Sequence, residues 1–158
     1  MIRIENIKKE QLGGFKSLEI IKLLDVFNCP HILTNQNSSQ FTYKKFFESD
    51  VSILPIGETI NMSAKPKRTA SGILYSVEGG FEVNYLDDQV DTIFEDYHLQ
   101  PVIVKANTFN NNAVIYGSLL APLKFYYEVL HSKRIENPSK FVVSCKAEIS
   151  QKPVITKV

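Results

Sequence analysis

Alternation of apolar and polar side chains dominates the second half of the chain. Three such runs occupy residues 81–85, 123–129 and 141–149. Alternation with period two is typical of β-strands that bury one face. We therefore predict three strands with a shared interior and with these side chains facing it: Phe81, Val83, Tyr85, Phe125, Tyr127, Phe141, Val143 and Cys145.

A different period follows the first of these runs. Apolar residues recur at spacings of three and four, which is the stripe of an amphipathic helix: Leu86, Val90, Ile93, Phe94 and Tyr97. The pattern predicts a helix over about 86–98 that packs across the shared interior. Asp87 or Asn84 is a suitable N-cap, and Pro101 ends the helix and opens the next strand.

Turn residues divide the rest of the chain into short strands. Asparagine closes turns readily, so residues 107–112 predict a β-hairpin, and residues 132–139, with Asn137-Pro138, are expected to form a loop between antiparallel strands. Residues 60–64 and 72–77 predict paired strands joined through Lys65–Arg68 as a hairpin tip. Residues 17–27 fit a strand or a short helix, and their β-branched content favours the strand.

These elements predict one domain over residues 1–158 of the α+β class. It is mostly β, with an antiparallel sandwich or barrel-like core and one packed helix. A chain of 158 residues with 44% hydrophobic and 22% charged residues suits a single globular domain. The net charge of +1 argues against a strongly basic nucleic-acid binder but leaves room for a local patch.

The ends and the cysteines indicate the compartment. No apolar segment follows the basic N-terminal residues, and no run approaches the roughly 20 apolar residues that span a bilayer. We expect a soluble chain made in a reducing environment, with no membrane partner. Cys29 and Cys145 stand in no motif, so no disulfide is predicted.

Few residues offer chemistry. Cys29 and His31 could supply two metal ligands, but a zinc site takes three or four. Cys145 faces the core as a small hydrophobe. Neither His98, at the helix end where an imidazolium suits the helix dipole, nor His131 has a partner at a signature spacing. We predict no enzyme, no catalytic residue, no metal, no cofactor and no small-molecule substrate.

Two charged clusters remain. Acidic residues line the helix opposite its apolar stripe and are expected to form a solvated face: Asp87, Asp88, Asp91, Glu95 and Asp96. Lys65, Lys67 and Arg68 form the densest basic cluster. It could contact phosphates or an acidic partner, or be an ordinary solvated loop tip. Because no aromatic residues interleave with it, it does not favour single-stranded nucleic acid.

The order of these elements resembles a group of small structural proteins of tailed bacteriophages and prophages from Bacteroidetes-type hosts. The segments that carry the resemblance are residues 18–29, 60–75, 80–85 (Gly-Phe-Glu-Val-Asn-Tyr), 115–117, and 140–147 together with Lys152-Pro153. It covers most of the chain as a pattern of order and spacing. It implies the tail-tube and neck fold, a β-sandwich with one packed helix and a protruding hairpin.

The resemblance implies assembly as the function. We expect a structural virion protein, assembled in the host cytoplasm, that forms a homo-oligomeric ring in the tail or neck around the DNA channel. Its partners would be copies of itself, neighbouring tail or neck proteins and, non-specifically, the passing DNA. Lys65, Lys67 and Arg68 would contact the next subunit or the lumen. The alternative is a small β-rich binding module for a protein or carbohydrate.

Overall fold

A computed structural model describes residues 1–5, 14–44, 52–53, 55, 59–84, 86–131, 133 and 139–157. Within these ranges the chain forms twelve β-strands, one α-helix and two 3₁₀ turns. The strands are β1 Ile2–Glu5, β2 Phe15–Lys22, β3 Val26–Asn28, β4 Thr42–Tyr43, β5 Ser52–Ile53, β6 Asn61–Thr69, β7 Gly72–Val83, β8 Pro101–Thr108, β9 Asn112–Tyr116, β10 Leu123–Leu130, β11 Lys140–Ile149 and β12 Val154–Lys157. The helix α1 is Asp88–Tyr97, and the 3₁₀ turns are Leu23–Asp25 and Ser38–Gln40.

Ten of these strands form one large sheet. Its order is β5-β1-β2-β8-β10-β11-β7-β6, while β9 pairs with β8 and β12 pairs with β9. Every pair is antiparallel except the parallel pair of β1 with β5. Strands β3 and β4 form a separate two-stranded sheet. The predicted mostly β, antiparallel fold with one helix is confirmed.

The large sheet branches at β8. The start of β8 pairs with β10, where Leu123 lies opposite Val102. Its second half pairs on the same side with β9, where Ala106 lies opposite Val114. Strand β8 therefore pairs along one edge with two different strands, and the sheet continues through both of them.

The main core lies inside the curl of the sheet and under α1. It joins side chains from near both ends of the sheet, Ile53 of β5 and Met62 of β6, so the sheet wraps around one interior without closing. The predicted inward side chains of β7, β10 and β11 belong to this core, with Tyr127 partly buried. That part of the prediction is confirmed, while Tyr85 lies outside the described residues.

A smaller core covers the opposite face of β2 and β8. Ile21 and Ile103 point away from the main core and pack with Leu33 and Phe41 from the segment that carries β3 and β4. Residues 17–27, left open between strand and helix, are a strand up to Lys22, followed by the 3₁₀ turn and β3. The preference for a strand is thus confirmed for most of the segment.

The helix begins two residues later than predicted. The Asp87 carboxylate accepts a hydrogen bond from the Gln89 backbone N–H at 2.8 Å, which makes Asp87 the N-cap. Val90, Phe94 and Tyr97 are buried, as the stripe predicts. Leu86 does not belong to the buried stripe, since it precedes the helix and is 48% exposed.

Of the two predicted hairpin turns, one is correct and one is not. The hairpin of β8 and β9 is confirmed, with Asn111 at a φ of 60°. The tip of the other hairpin was placed wrongly, because Lys65–Arg68 lie inside β6 and the turn is formed by Ala70 and Ser71. Residues 132 and 134–138 of the predicted β10–β11 loop lie outside the described part of the chain.

Candidate functional site

The hairpin of β6 and β7 projects beyond the sheet. Strand β7 pairs with β11 only from Tyr75 to Val83. Residues 72–74 of β7 and their partners 67–69 of β6 continue past Ile149, the last residue of β11. The end of the hairpin is therefore a two-stranded ribbon that extends beyond the end of β11.

The three predicted basic residues lie on this hairpin but on two different faces. Arg68 lies opposite Ile73, and the same side of the hairpin carries the pair of Ala64 with the buried Val77. Lys65 and Lys67 lie on the other side, because successive residues of a strand point to opposite faces. All three side chains are exposed. The structure thus brings the cations onto one strand without forming a single patch.

The core-facing side of β7 continues past the end of the core. Val77 is 1% exposed, Tyr75 is partly buried against the main core, and Ile73 is 56% exposed. The alternation therefore places Ile73 in the phase of a core residue, at a position that the core does not reach. An exposed apolar side chain beside Arg68 is the main feature of the hairpin tip.

Strand β6 is one edge of the large sheet, and its basic half is protected against adding another strand. Pro66 has no N–H to donate and is tolerated within a strand only where its nitrogen faces an open edge. Lysines and prolines on edge strands discourage backbone pairing with other chains. Contacts at Lys65–Arg68 are therefore expected to come from side chains.

The edge at β12 is covered by a loop. The Asn35 side-chain oxygen accepts a hydrogen bond from the Ile155 backbone N–H at 2.9 Å. The Gln151 side-chain amide donates to the Leu33 carbonyl at 2.8 Å. The first bond satisfies a backbone group that an open edge would present to another chain, and the second holds the loop beside β12.

A second candidate lies on the outer face of β7 and β11 and was missed from the sequence. It is a shallow groove of about 380 Å³ over Gly79 and Gly80, with polar residues along its sides: Asn61, Glu78, Glu82, Ser144 and Lys146. A neighbouring groove shares Ser144 and Lys146 and adds His98, Tyr126 and Glu128. Two features of the sequence could have indicated this groove: the paired glycines, and the polar residues that alternate with the core residues.

Backbones come unusually close at the two glycines under the first groove. A Cβ on Gly80 would lie 1.8 Å from the Val143 carbonyl oxygen, and one on Gly79 would lie 2.2 Å from the Asn61 carbonyl oxygen. Nearby, the Lys146 ammonium stands 5.0 Å from the centre of the Tyr126 ring. The two grooves together offer an aromatic surface beside carboxylates, an ammonium and a hydroxyl.

The residues singled out for chemistry are dispersed. The Cys29 thiol lies 3.5 Å from the Pro30 carbonyl oxygen, and His31 and His131 are exposed. Burial raises the pKa of Cys145 to about 12, so its thiol stays neutral and unreactive near pH 7. Within the described ranges, no group of three or more His, Cys, Asp or Glu side chains could hold a metal ion.

His98 has a structural environment. Its Nδ1 lies 3.4 Å from the Tyr127 backbone N–H in acceptor geometry, and its ring stands edge-on to the Tyr127 ring at 5.1 Å. Both contacts hold the His98 ring against β10.

The acidic face of α1 is partly occupied by local contacts. Asp88 joins Asp87 in accepting from the Gln89 N–H, and the Tyr127 hydroxyl lies 3.3 Å from an Asp91 oxygen. Asp96 forms an ion pair with Lys22 of β2. The set is thus not simply solvated.

A buried polar network lies on the smaller core's side of β1, β2 and β8. Glu19 is 7% exposed, and its carboxylate accepts from Arg3 at 3.2 Å and from the Tyr43 hydroxyl at 2.7 Å. The Lys105 ammonium donates to the same hydroxyl at 3.2 Å. Burial and the neighbouring Glu19 raise the pKa of Tyr43 well above its usual value, so the phenol remains a neutral donor. The network ties β4 to the sheet.

Comparison with protein-family models, with curated proteins and with solved structures found no match to this chain. Among the described residues, no helix has the length and apolar character needed to cross a membrane.

Proposed function

We propose that this chain is a structural protein that assembles with copies of itself into a ring in the tail or neck of a tailed bacteriophage. The observation that carries the proposal is the β6–β7 hairpin, which holds Ile73 and Arg68 beyond the edge of the sheet. Ile73 has the phase of a core residue but lies outside the core, so its exposed apolar surface is buried only when another chain covers it. That burial would contribute favourable free energy to assembly.

The resemblance in element order supports the same function, since the protruding hairpin is part of it. Lys65 and Lys67 lie on the other face of the hairpin, where they are exposed and can meet neighbouring tail or neck proteins or passing DNA. Such a contact with phosphates is electrostatic and non-specific, so it weakens as salt rises. The proposed role contains no catalytic step and requires no bound metal.

A second function, binding of a carbohydrate, is favoured by the outer-face grooves. Sugars bind to aromatic faces flanked by carboxylates and amides, and Tyr126, Glu78 and Asn61 supply these groups. Saturation-transfer NMR with a panel of oligosaccharides tests it, with Tyr126→Ala as the variant that should lose binding. Retention of the signal by Tyr126→Ala would place the sugar elsewhere.

The test of assembly is the mass of the purified chain over a range of concentrations, with negative-stain electron microscopy of the largest species. A discrete multimer with rotational symmetry is expected. A chain that stays monomeric both alone and when co-expressed with tail and neck proteins would refute the ring. Elemental analysis completes the test, because stoichiometric zinc or calcium would contradict the absence of a metal role.

A further inference from the structure

A groove of about 260 Å³ lies at the start of α1 and has the opposite character to the hairpin tip. Val129 and Phe141 contribute apolar surface from β10 and β11, and Leu86 adds an exposed apolar side chain. Three carboxylates complete its lining: Asp87, Asp88 and Asp91. The groove therefore combines an apolar surface with negative charge.

The hairpin tip carries the matching groups in the matching arrangement. Ile73 is an exposed apolar side chain, and Arg68 lies directly opposite it on the neighbouring strand and on the same face. An isoleucine can fill an apolar groove while the adjacent guanidinium reaches carboxylates at its rim. Arginine suits this role because its planar donors match carboxylate oxygens.

The two surfaces cannot meet within one molecule. They lie at opposite ends of β7, a strand of twelve residues from Gly72 to Val83. At ~3.3 Å per residue such a strand extends on the order of 35 Å, somewhat less where it bends. The contact must therefore join two copies.

We propose that the hairpin tip of one copy, through Ile73 and Arg68, docks into the groove formed by Leu86, Asp88 and Val129 of the next copy. This inference rests on the proposed ring and names the surfaces that build it. The contact uses different patches on the two molecules, so it is heterologous and generates a closed ring when the rotation between copies closes. Each copy then makes two such contacts.

Charge reversal tests the pairing of Arg68 with Asp88. We expect Arg68→Glu and Asp88→Arg each to raise the concentration needed for assembly at least about tenfold, and the combination to restore it to within about threefold of wild type. Lys65→Glu and Glu95→Arg are the matched controls: each makes the same kind of change on the same element, but outside the proposed contact. Circular dichroism of each variant verifies that the monomer is folded.

Disulfide trapping tests the geometry independently of charge. In a Cys29→Ser background, one protein carries Ile73→Cys and the other Leu86→Cys, and the two are mixed under mild oxidation. A covalent heterodimer is expected, since a disulfide requires Cα atoms within about 7 Å. Lys65→Cys mixed with Leu86→Cys is the control and should stay unlinked, because Lys65 lies on the other face of the hairpin.

The outcomes separate this inference from the ring itself. A wild-type multimer in which charge reversal at Arg68 has no effect beyond that at Lys65, and in which no heterodimer is trapped, overturns the docking contact and leaves the ring intact. A wild-type chain that never assembles refutes both. Rescue by the double reversal together with the trapped heterodimer establishes the contact.

Discussion

Phe94 occupies the centre of an aromatic cluster that joins α1 to the sheet. Its ring centre lies 5.4 Å from that of Phe141, 5.8 Å from Tyr127 and 6.0 Å from both Phe81 and Phe125. Aromatic pairs at such distances add to the free energy of burial. Phe94 and the rings around it are therefore a major part of the packing of α1 on the sheet.

Removing one of these rings tests the phase of the alternation. Phe141→Ala deletes a ring that is almost fully buried, so we expect the free energy of unfolding to fall by roughly 3–5 kcal/mol. Urea denaturation measures it. Tyr126→Ala, on the outer face of the adjacent strand, is the control and should lose much less. A loss at Phe141 below about 1 kcal/mol would contradict the assigned core.

Cys145 makes the stability of the fold sensitive to alkaline pH. Burial raises its pKa from 9.0 to about 12. Between these values the unfolded chain has released a proton that the folded chain keeps. The free energy of unfolding therefore falls as pH rises, by up to about 1.4 kcal/mol per pH unit from this group. Below about pH 9 both states keep the proton, and Cys145 adds no slope.

Comparison of wild type with Cys145→Ala isolates this contribution. Urea denaturation at a series of pH values from 8 upward should give a shallower alkaline decline for the variant. Val143→Ala on the same strand is the control, because it shortens a core side chain without removing a titratable group. Equal slopes in wild type and Cys145→Ala would show that the folded thiol ionises as readily as the unfolded one.

At the scale of single residues, the sequence predicted which side chains face inward, since a strand allows only two directions. It did not predict how far the core extends along each strand. Ile73 has the phase of Val77 yet stands outside the core, and Leu86 has the spacing of the helix stripe yet precedes the helix. Both residues became visible as parts of a surface only in three dimensions.

At the scale of elements, β7 needs glycine at positions 79 and 80, because neighbouring backbones approach it closely there. Gly80→Ala would place a methyl group within 1.8 Å of the Val143 carbonyl oxygen, and backbone atoms cannot move aside as side chains do. We expect a loss at or above the upper end of the roughly 1–3 kcal/mol usual for overpacking. Ser76→Ala on the same face is the control for urea denaturation. An unchanged midpoint would show that β7 can shift.

The start of α1 depends on its cap. Asp87→Ala removes the N-cap carboxylate, the nearer of the two that accept from the Gln89 N–H, so we expect a loss of about 1 kcal/mol. The matched control is Glu95→Ala, which removes an exposed acidic side chain about two turns further along the helix. Thermal unfolding followed by circular dichroism compares the two. Equal effects would contradict the role of Asp87 as the cap.

The β6–β7 hairpin shows why one element boundary could not be predicted. A lysine-rich segment with a proline has the composition of a turn, and Lys65–Arg68 was therefore predicted as the tip. The chain instead turns at Ala70 and Ser71, before Gly72 at a φ of 126°. Pro66 is accommodated because β6 is an edge strand, and edge position is a property of the whole sheet.

At the scale of the whole molecule, the branched sheet was beyond prediction. Strand β8 pairs with β2, β9 and β10, and β2 is some eighty residues away in the chain. Local periodicity contains no information on such pairings. The smaller core and the Glu19 network beside it were therefore not predicted. The order of the elements was nevertheless sufficient to predict the fold class.

Assembly of the whole molecule is predicted to be separable from its folding. Replacing Lys65, Lys67 and Arg68 together by serine should leave the monomer folded, because exposed residues near a hairpin tip contribute little core energy. Assembly, followed by sedimentation velocity, should fall, and Arg68→Ser alone should account for most of the loss because only Arg68 shares a face with Ile73.

Salt dependence then distinguishes the two kinds of contact on this hairpin. Ion pairs shielded within a subunit interface are screened little, whereas exposed lysines facing DNA are screened strongly. We therefore expect ring mass to change little with moderate salt, while any retention of DNA by assembled rings is lost with salt and with the Lys65→Ser, Lys67→Ser double variant. A triple variant that assembles like wild type would make this hairpin an ordinary solvated loop.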